Sequence, residues 1–334
     1  MKSQPDEEGA ISSAADAAVE MEDMPTGSSN QGPRPLPPPA VLDASQPPRP
    51  LPQYSHLELR QLEGDGDTTH CWAGLPPGNV TVRGASYLRD GKKAPSEPAS
   101  LCLAVELFRS SLPVHDVAGR ADSPAHTLCT PQPMARLSNF PLSLSLSPCR
   151  SPVLCAWSAC APTDLRCDSP ITSVLVVNLI IPATDGYYQL VLYYGVLEEE
   201  VPSAATRLYQ RFCAGSDAFR NARFKLIPSI EEGPWLVKTG VGSRPSILGK
   251  TLKQRFSRGD GYVEVGVDCN SSPAAGRIVS LVKSYARSLV IDLSFVIEAQ
   301  TAEELPEKVI GCTRLMHIDL AESTVPTYVE GDTV

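Results

Sequence analysis

Seven basic side chains fall into two groups whose spacing suits an anion. Arg211, Arg220, Arg223 and Lys225 form one, and Arg83, Lys92 and Lys93 the other. A guanidinium grips two phosphate oxygens at once through its rigid fork, and an ammonium adds a point charge. Gathered on one surface, Arg83, Lys92, Arg211, Arg220, Arg223 and Lys225 would make a seat for a phosphate or a lipid headgroup. The competing expectation is ordinary pairing with Asp217, Asp90 and the Glu231-Glu232 pair, because such charges are commonly solvated. A second anion site is placed at Ser271 and Ser272, where hydroxyls and free backbone N–H groups meet at a helix start. Asp268 beside them would repel an anion, and plain capping uses the same serines.

Catalytic and metal-binding sets fail on spacing. Gly249-Lys250-Thr251 ends like a phosphate loop, but the glycine required five positions earlier is Arg244. Neither G-x-S-x-G nor H-E-x-x-H occurs, and the five histidines are scattered. Cys149, Cys155, Cys160 and Cys167 lack the paired C-x-x-C spacing of a zinc site. Glu303, Glu304 and Glu307 read as the solvated face of a short helix. Asp268, Glu264 and His317 would become catalytic candidates only in a shared deep pocket with shifted ionisation. No catalytic residue, metal or cofactor is therefore assigned, and the chain is expected not to be an enzyme. Asn79-Val80-Thr81 is a formal glycosylation triplet with meaning only in a secreted chain.

The elements that must position these charges are mostly strands. SVLVVNLIIP and YYQLVLYYGV flank Ala183-Thr184-Asp185-Gly186, a hairpin signal with Asp-Gly in the turn. Residues 204–214 read as a helix and 219–224 as its continuation or a second turn. Strands are expected at 80–83, 224–230, 235–241, 251–256, 262–268, 289–298 and 309–320, while 101–108 suits a buried strand or a short helix. Serine followed by Pro273 opens the clearest helix, with Ala275, Ile278, Val282, Tyr285 and Leu289 as an apolar stripe for the sheet. Thr301 with Glu304 forms a capping-box start.

Composition sets the limits. The chain has 334 residues with 32 prolines and a net charge of −9. Residues 1–30 carry seven carboxylates against Lys2, a balance of −6 that leaves −3 for the rest. A nearly neutral domain behind an acidic tail offers no electrostatic footprint for nucleic acid. Residues 1–70 form an expected disordered arm, acidic and proline-rich, because its apolar content cannot offset ordering entropy. PRPLPPP (33–39) and PPRPLP (47–52) could be polyproline II segments, serving a stiff linker or an aromatic groove on a partner protein. Residues 121–169 read as a low-complexity insertion, either a loop or sequence foreign to the working protein. No signal peptide or bilayer-length apolar run is visible, so the chain is expected to be cytoplasmic, peripheral to membranes, with its ten cysteines mostly reduced.

CW…VTVRGASYLRDGKK, FRNARFKLIPSIEEGPWLVKTGVGSRPSILGK, YVEVGVDCNSS and TAEELPEKVIGCTRLMHIDL occur here in succession. Together they resemble the blocks of the Enhanced Disease Resistance 2 C-terminal domain, a plant and algal family. The resemblance spans residues 71–325 apart from 121–169. Val80 and Asn270 depart from it, standing where an aromatic residue and a glycine are common. In land-plant members this domain follows pleckstrin-homology and lipid-transfer (START) domains, for which residues 1–70 are too few. The resemblance implies a regulator that restrains cell death and defence, with phosphoinositide binding in the upstream domains.

The expected fold is α+β over residues 71–328: a curved, mainly antiparallel sheet against the 271–288 helix, helix-grip-like. The expected function is a non-enzymatic regulatory module associated with lipid or membrane. The alternative is a protein-interaction scaffold using the proline-rich arm.

Overall fold

The computed structural model describes residues 57–62, 64, 66–97, 99–120, 122–125, 171–199 and 201–328. All of them belong to the unit Leu51–Val334. The acidic arm up to residue 56, its polyproline segments and residues 126–170, with Cys149, Cys155, Cys160 and Cys167, lie outside the described residues.

The longest apolar runs form the centre. Strands β6 (Ile171–Pro182) and β7 (Tyr187–Leu197) pair as an antiparallel hairpin, with Val177 opposite Leu192. Gly186 closes the turn at φ +87°, and a Cβ there would collide with the carbonyl oxygen of Ser110. Only glycine suits both demands. Strand β5 (Ser100–Ser110) joins β7, and β11 (Tyr262–Asp268) joins β6 in parallel, with β10 (Lys253–Gly259) outside it. This five-stranded sheet has the order β10-β11-β6-β7-β5. Both its faces are covered, which explains strands that are apolar throughout rather than alternating.

A second, six-stranded sheet has the order β1-β2-β13-β12-β8-β9. Its strands are β1 (Arg60–Gln61), β2 (Cys71–Gly74), β8 (Phe224–Glu232), β9 (Ser246–Ile247), β12 (Val290–Ile297) and β13 (Val309–Met316). Only β1 and β2 run parallel within it. Leu175, Val177, Leu192 and Tyr194 from the first sheet share one core with Trp72, Leu293, Phe295 and Leu315 from the second. Phe224 stacks on Phe295 at 5.5 Å between ring centroids, and Tyr194 tilts against the same ring at 6.0 Å. Each such buried side chain contributes roughly 1.5–3 kcal/mol.

The outer face of the first sheet, with Val174, Val176, Val191 and Tyr193, is roofed by Leu57, Val114, Val117, Ala118 and Ala125. Leu57, Leu59, Ser123 and Ala125 are buried. The folded unit therefore starts before residue 71, and the first residues of the expected insertion belong to it. A small hairpin of β3 (Thr81–Arg83) and β4 (Lys93–Pro95), bridged by helix α1 (Tyr87–Asp90), lies against the outer face of the second sheet through Val82 and Val296.

The α+β class and the mainly antiparallel pairing are as expected, in two curved sheets. Helix α2 (Ala204–Ala214) is capped by Ser203, which accepts from the Thr206 N–H, and buries Leu208, Tyr209 and Phe212. Helix α3 (Asp217–Asn221) follows. Residues 235–241 are not a strand but helix α4 (Trp235–Val241), entered after Pro234 and closed by Gly242 at φ +65°. A seven-residue apolar run carries too little periodicity to separate the two. The longest helix, α5 (Pro273–Tyr285), buries none of its residues fully, and Ile278 and Tyr285 of its expected inward stripe are exposed. The second sheet, rather than a gripped helix, fills the core. No helix among the described residues is long and apolar enough to cross a membrane.

Candidate functional site

A cleft of about 500 Å³ opens where the β3–β4 hairpin meets β8 and β9. Its walls carry Arg83, Tyr87, Lys93, Lys225 and Lys250, with Glu298 and Glu307 between them. Arg83 ends β3, Tyr87 opens α1, Lys93 opens β4 and Lys225 lies at the start of β8. Lys250 closes the 3-10 turn Leu248–Lys250. The hydrogen-bonded ladders of two sheets fix the backbones of Arg83, Lys93 and Lys225.

The buried carboxylate of Glu307 organises the floor. It accepts from the Lys225 Nζ at 2.9 Å through each oxygen, from the Ala299 N–H at 3.0 Å and from the Arg83 N–H at 3.1 Å. Arg83 reaches Glu298 at 3.0 Å and donates to the Ala299 carbonyl at 2.6 Å, while its guanidinium lies 4.9 Å from the centre of the Tyr87 ring. Lys93 and Lys250 are exposed and have no charged partner among the described residues. Four cations around two carboxylates leave the lining at +2. The inner pair is neutralised and rigid; the outer lysines are free to meet an anion.

The expected basic patch is thus divided by the fold. Arg83 and Lys225 meet in the cleft, but Lys92 lies in the exposed turn beside it, its N–H held by Asp90 at 2.9 Å, and Lys93 takes the lining position. Arg211 and Arg223 converge on Glu304 at 2.8 and 3.4 Å and lie over the Phe219 ring. Arg220 is turned inward, 3% exposed. Its guanidinium donates to the Phe212 and Cys213 carbonyls at the end of α2 and pairs with Asp217 at 2.8 Å. A cation there satisfies orphan helix carbonyls. The expected Asp217 pairing is therefore present, whereas Glu231 approaches Arg314 instead.

Other candidates are used structurally. Ser271 donates to the Asp268 carbonyl at 2.6 Å and accepts from the Lys253 N–H at 2.8 Å, and the Ser272 side chain makes no capping bond. Ser271 thus ties the start of β10 to the end of β11, and the two serines do not converge on an anion. Gly249 packs directly against Asn221, so 249–251 is a packed turn and no phosphate loop. Glu304 and Glu307 are buried, contrary to the solvated face expected for them, because backbone N–H groups and cations surround both. The Thr301–Glu304 capping box is present. Glu264 and Asp268 belong to β11 of one sheet and His317 follows β13 of the other. Among the described residues no group of three or more His, Cys, Asp or Glu could hold a metal. Glu298, Glu307, Tyr87 and Lys250 were not legible as site residues; they come from segments far apart in sequence and share no motif.

The outer face of the first sheet holds a separate buried polar layer. Glu106 pairs with Arg120 at 2.8 Å and accepts from the Tyr193 hydroxyl at 2.7 Å. Glu264 accepts from the Ala118 N–H at 2.9 Å. Burial pushes both carboxyls up, against the pull of Arg120 on Glu106 and of backbone N–H groups on Glu264. Burial, and then the nearby Glu106, raise Glu58 to about 7. Glu106 and Glu264 pin the roof through Arg120 and Ala118.

Two mostly antiparallel sheets close over one core, with a basic cleft on the outer side of the second, and together they define an α+β domain. Residues 72–319 match the sequence profile described as Protein ENHANCED DISEASE RESISTANCE 2, C-terminal, and the chain belongs to that family. It is similar to a protein of Arabidopsis thaliana named Protein ENHANCED DISEASE RESISTANCE 2-like, with 33% identity over 258 residues, covering 77% of this chain and 30% of the relative. The chain thus spans less than a third of that relative's length. No solved structure matches it.

Proposed function

We propose that this domain is a non-enzymatic regulatory module that binds an anionic headgroup in the cleft between the β3–β4 hairpin and β8, and acts peripherally at membranes in the cytoplasm. The observation that carries the reading is the pair of unpaired lysines, Lys93 and Lys250, above a floor where Arg83 and Lys225 are locked by Glu298 and Glu307. Such a floor presents donors in fixed positions, and the outer ammonium groups supply uncompensated charge. The family membership supports a role in regulating disease resistance, since the Arabidopsis relative carries that name.

Isothermal titration with soluble inositol phosphates tests it. The wild-type chain should bind, and Lys93→Glu combined with Lys250→Glu should weaken binding at least tenfold without altering thermal stability, because both side chains are exposed and unpaired. Equal affinity in both proteins would sink the cleft assignment. A second reading rests on PRPLPPP and PPRPLP in the arm, which would recruit a partner with an aromatic groove. Deleting residues 1–53 without losing any co-purified protein removes its support.

A further inference from the structure

Of the large apolar side chains exposed among the described residues, four lie on two helices: Trp235 at 77% and Leu236 at 52% on α4, Ile278 at 39% and Tyr285 at 36% on α5. The helices are neighbours, since a Cβ on Gly240 would approach Leu281 to 2.9 Å. Val237 is the one buried residue of α4, so the helix is anchored by a single inward side chain and turns Trp235 and Leu236 outward. A folded domain gains nothing from a tryptophan left this far in water, whereas an indole at a membrane interface is favourably placed.

Charge shows what covers the face. No carboxylate occurs in 233–245 or 271–289, while Lys238, Arg244, Arg277, Lys283 and Arg287 do. Across 233–289 nine basic residues face three acidic ones, a net of +6 inside a chain of net −9. Lys238 and Lys283 bond to the Glu231 and Pro182 carbonyls, and Arg287 pairs with Asp319 at 2.7 Å. Arg244 and Arg277 have no charged partner among the described residues. The exposed Glu231 and Glu232, just before α4, are the acidic groups at its entry. A second copy of the chain would bring like charges together on this face, which disfavours self-association. An anionic bilayer offers the opposite charge and an apolar layer at the depth the ring needs.

We infer that the face formed by α4 and α5 is a membrane-docking surface that inserts Trp235 and Leu236 into the headgroup boundary of an anionic leaflet and seats Arg244 and Arg277 on its phosphates. The inference rests on the membrane-associated reading above but not on the cleft. Four residues beyond α4 the chain reaches Pro245, Ser246 and Ile247 in the cleft wall, so docking would bring lipid headgroups toward that wall.

Flotation of the full chain with phosphatidylcholine vesicles, with and without phosphatidylserine, tests the surface. Wild type should float only with the anionic vesicles and should be released by salt; with Trp157 replaced by Phe, emission should shift to the blue on binding and Trp235→Phe should abolish that shift, the remaining Trp72 being buried. Arg244→Glu with Arg277→Glu should lower partitioning about thirtyfold or more, the weight of two basic side chains at an anionic surface. Trp235→Ser with Leu236→Ser should lower it about tenfold; if that protein fails to unfold cooperatively, the charge-reversed variant decides alone. Failure of wild type to float, unchanged partitioning of the charge-reversed variant, or a dimer in sedimentation that Trp235→Ser dissolves would each overturn the inference. The Lys93→Glu, Lys250→Glu variant should still float with phosphatidylserine. Binding of inositol phosphates without flotation would refute the docking face and leave the cleft standing.

Discussion

Replacing Lys225 with methionine keeps the apolar stem and deletes the ammonium that sits 2.9 Å from Glu307 and 3.7 Å from Glu298. The Glu307 side chain has no exposed surface, so its charge stays behind in the interior. Breaking a buried ion pair from one side typically costs about 3–5 kcal/mol for that reason. Here Glu307 retains the N–H groups of Arg83 and Ala299, and the Arg83 guanidinium at 3.7 Å. Those contacts reduce the expected loss to about 2–3 kcal/mol, or roughly 4–12 °C in Tm for a domain of this size. Urea unfolding followed by tryptophan emission measures it. Adding Glu307→Gln should recover about 1 kcal/mol or more, since the second change removes the stranded charge that the first created. A loss below about 0.5 kcal/mol for Lys225→Met, or a double variant less stable than the single, would refute the account of the cleft floor as a coupled ionic lock.

Glu58, raised to about 7 in the fold, binds a proton more tightly folded than unfolded. Its contribution is therefore fully present below the unfolded carboxyl range and lost as pH rises toward 7, in the same direction as the raised Glu106 and Glu264. Tm should fall between pH 5 and pH 8 in thermal melts, and Glu58→Gln should flatten that slope. Gly186→Ala should cost about 2 kcal/mol or more in chemical denaturation, because the turn holds φ +87° and the added methyl meets the Ser110 carbonyl. Glu304→Ala should cost about 1–2 kcal/mol by the same measurement, since it strips the acceptor from the Gln300 and Thr301 N–H groups and from Arg211 and Arg223.

What sequence reasoning recovered depended on how local the determinant is. The β6–β7 hairpin announces itself through two β-branched runs and an Asp-Gly turn, the bounds of α2 and β11 follow from composition breaks, and the Thr301–Glu304 cap is a four-residue pattern. Trp235–Val241 carries no such local signature and is helical between Pro234 and Gly242. Leu57 and Leu59 look like part of a polar arm until the edge of β5 is there to receive them, the Leu107 N–H donating to the Leu57 carbonyl and the Leu59 N–H to the Val105 carbonyl. The basic residues were identified, but their fates differ by geometry that composition cannot hold. Arg220 on α3 turns inward to the carbonyls at the end of α2, while Arg223, three residues later, reaches across to Glu304. The cleft itself joins positions near 83, 225, 250, 298 and 307, and only the completed sheets bring them together.

The pairing of β2 with β13, in which Trp72 lies opposite Leu315 and Cys71 opposite Met316, joins the two ends of the described domain in adjacent strands. Everything from β2 to β13 must emerge before that pairing can form, and the parallel contact of β6 with β11 likewise waits for residues about ninety positions downstream. Contacts this distant in sequence slow folding, because loop closure must precede their reward. The β6–β7 hairpin can form from local contacts alone, and its apolar faces stay uncovered until the later strands arrive. Truncation into β2 or β13 removes a strand of the same sheet, so the unit is made and lost as a whole.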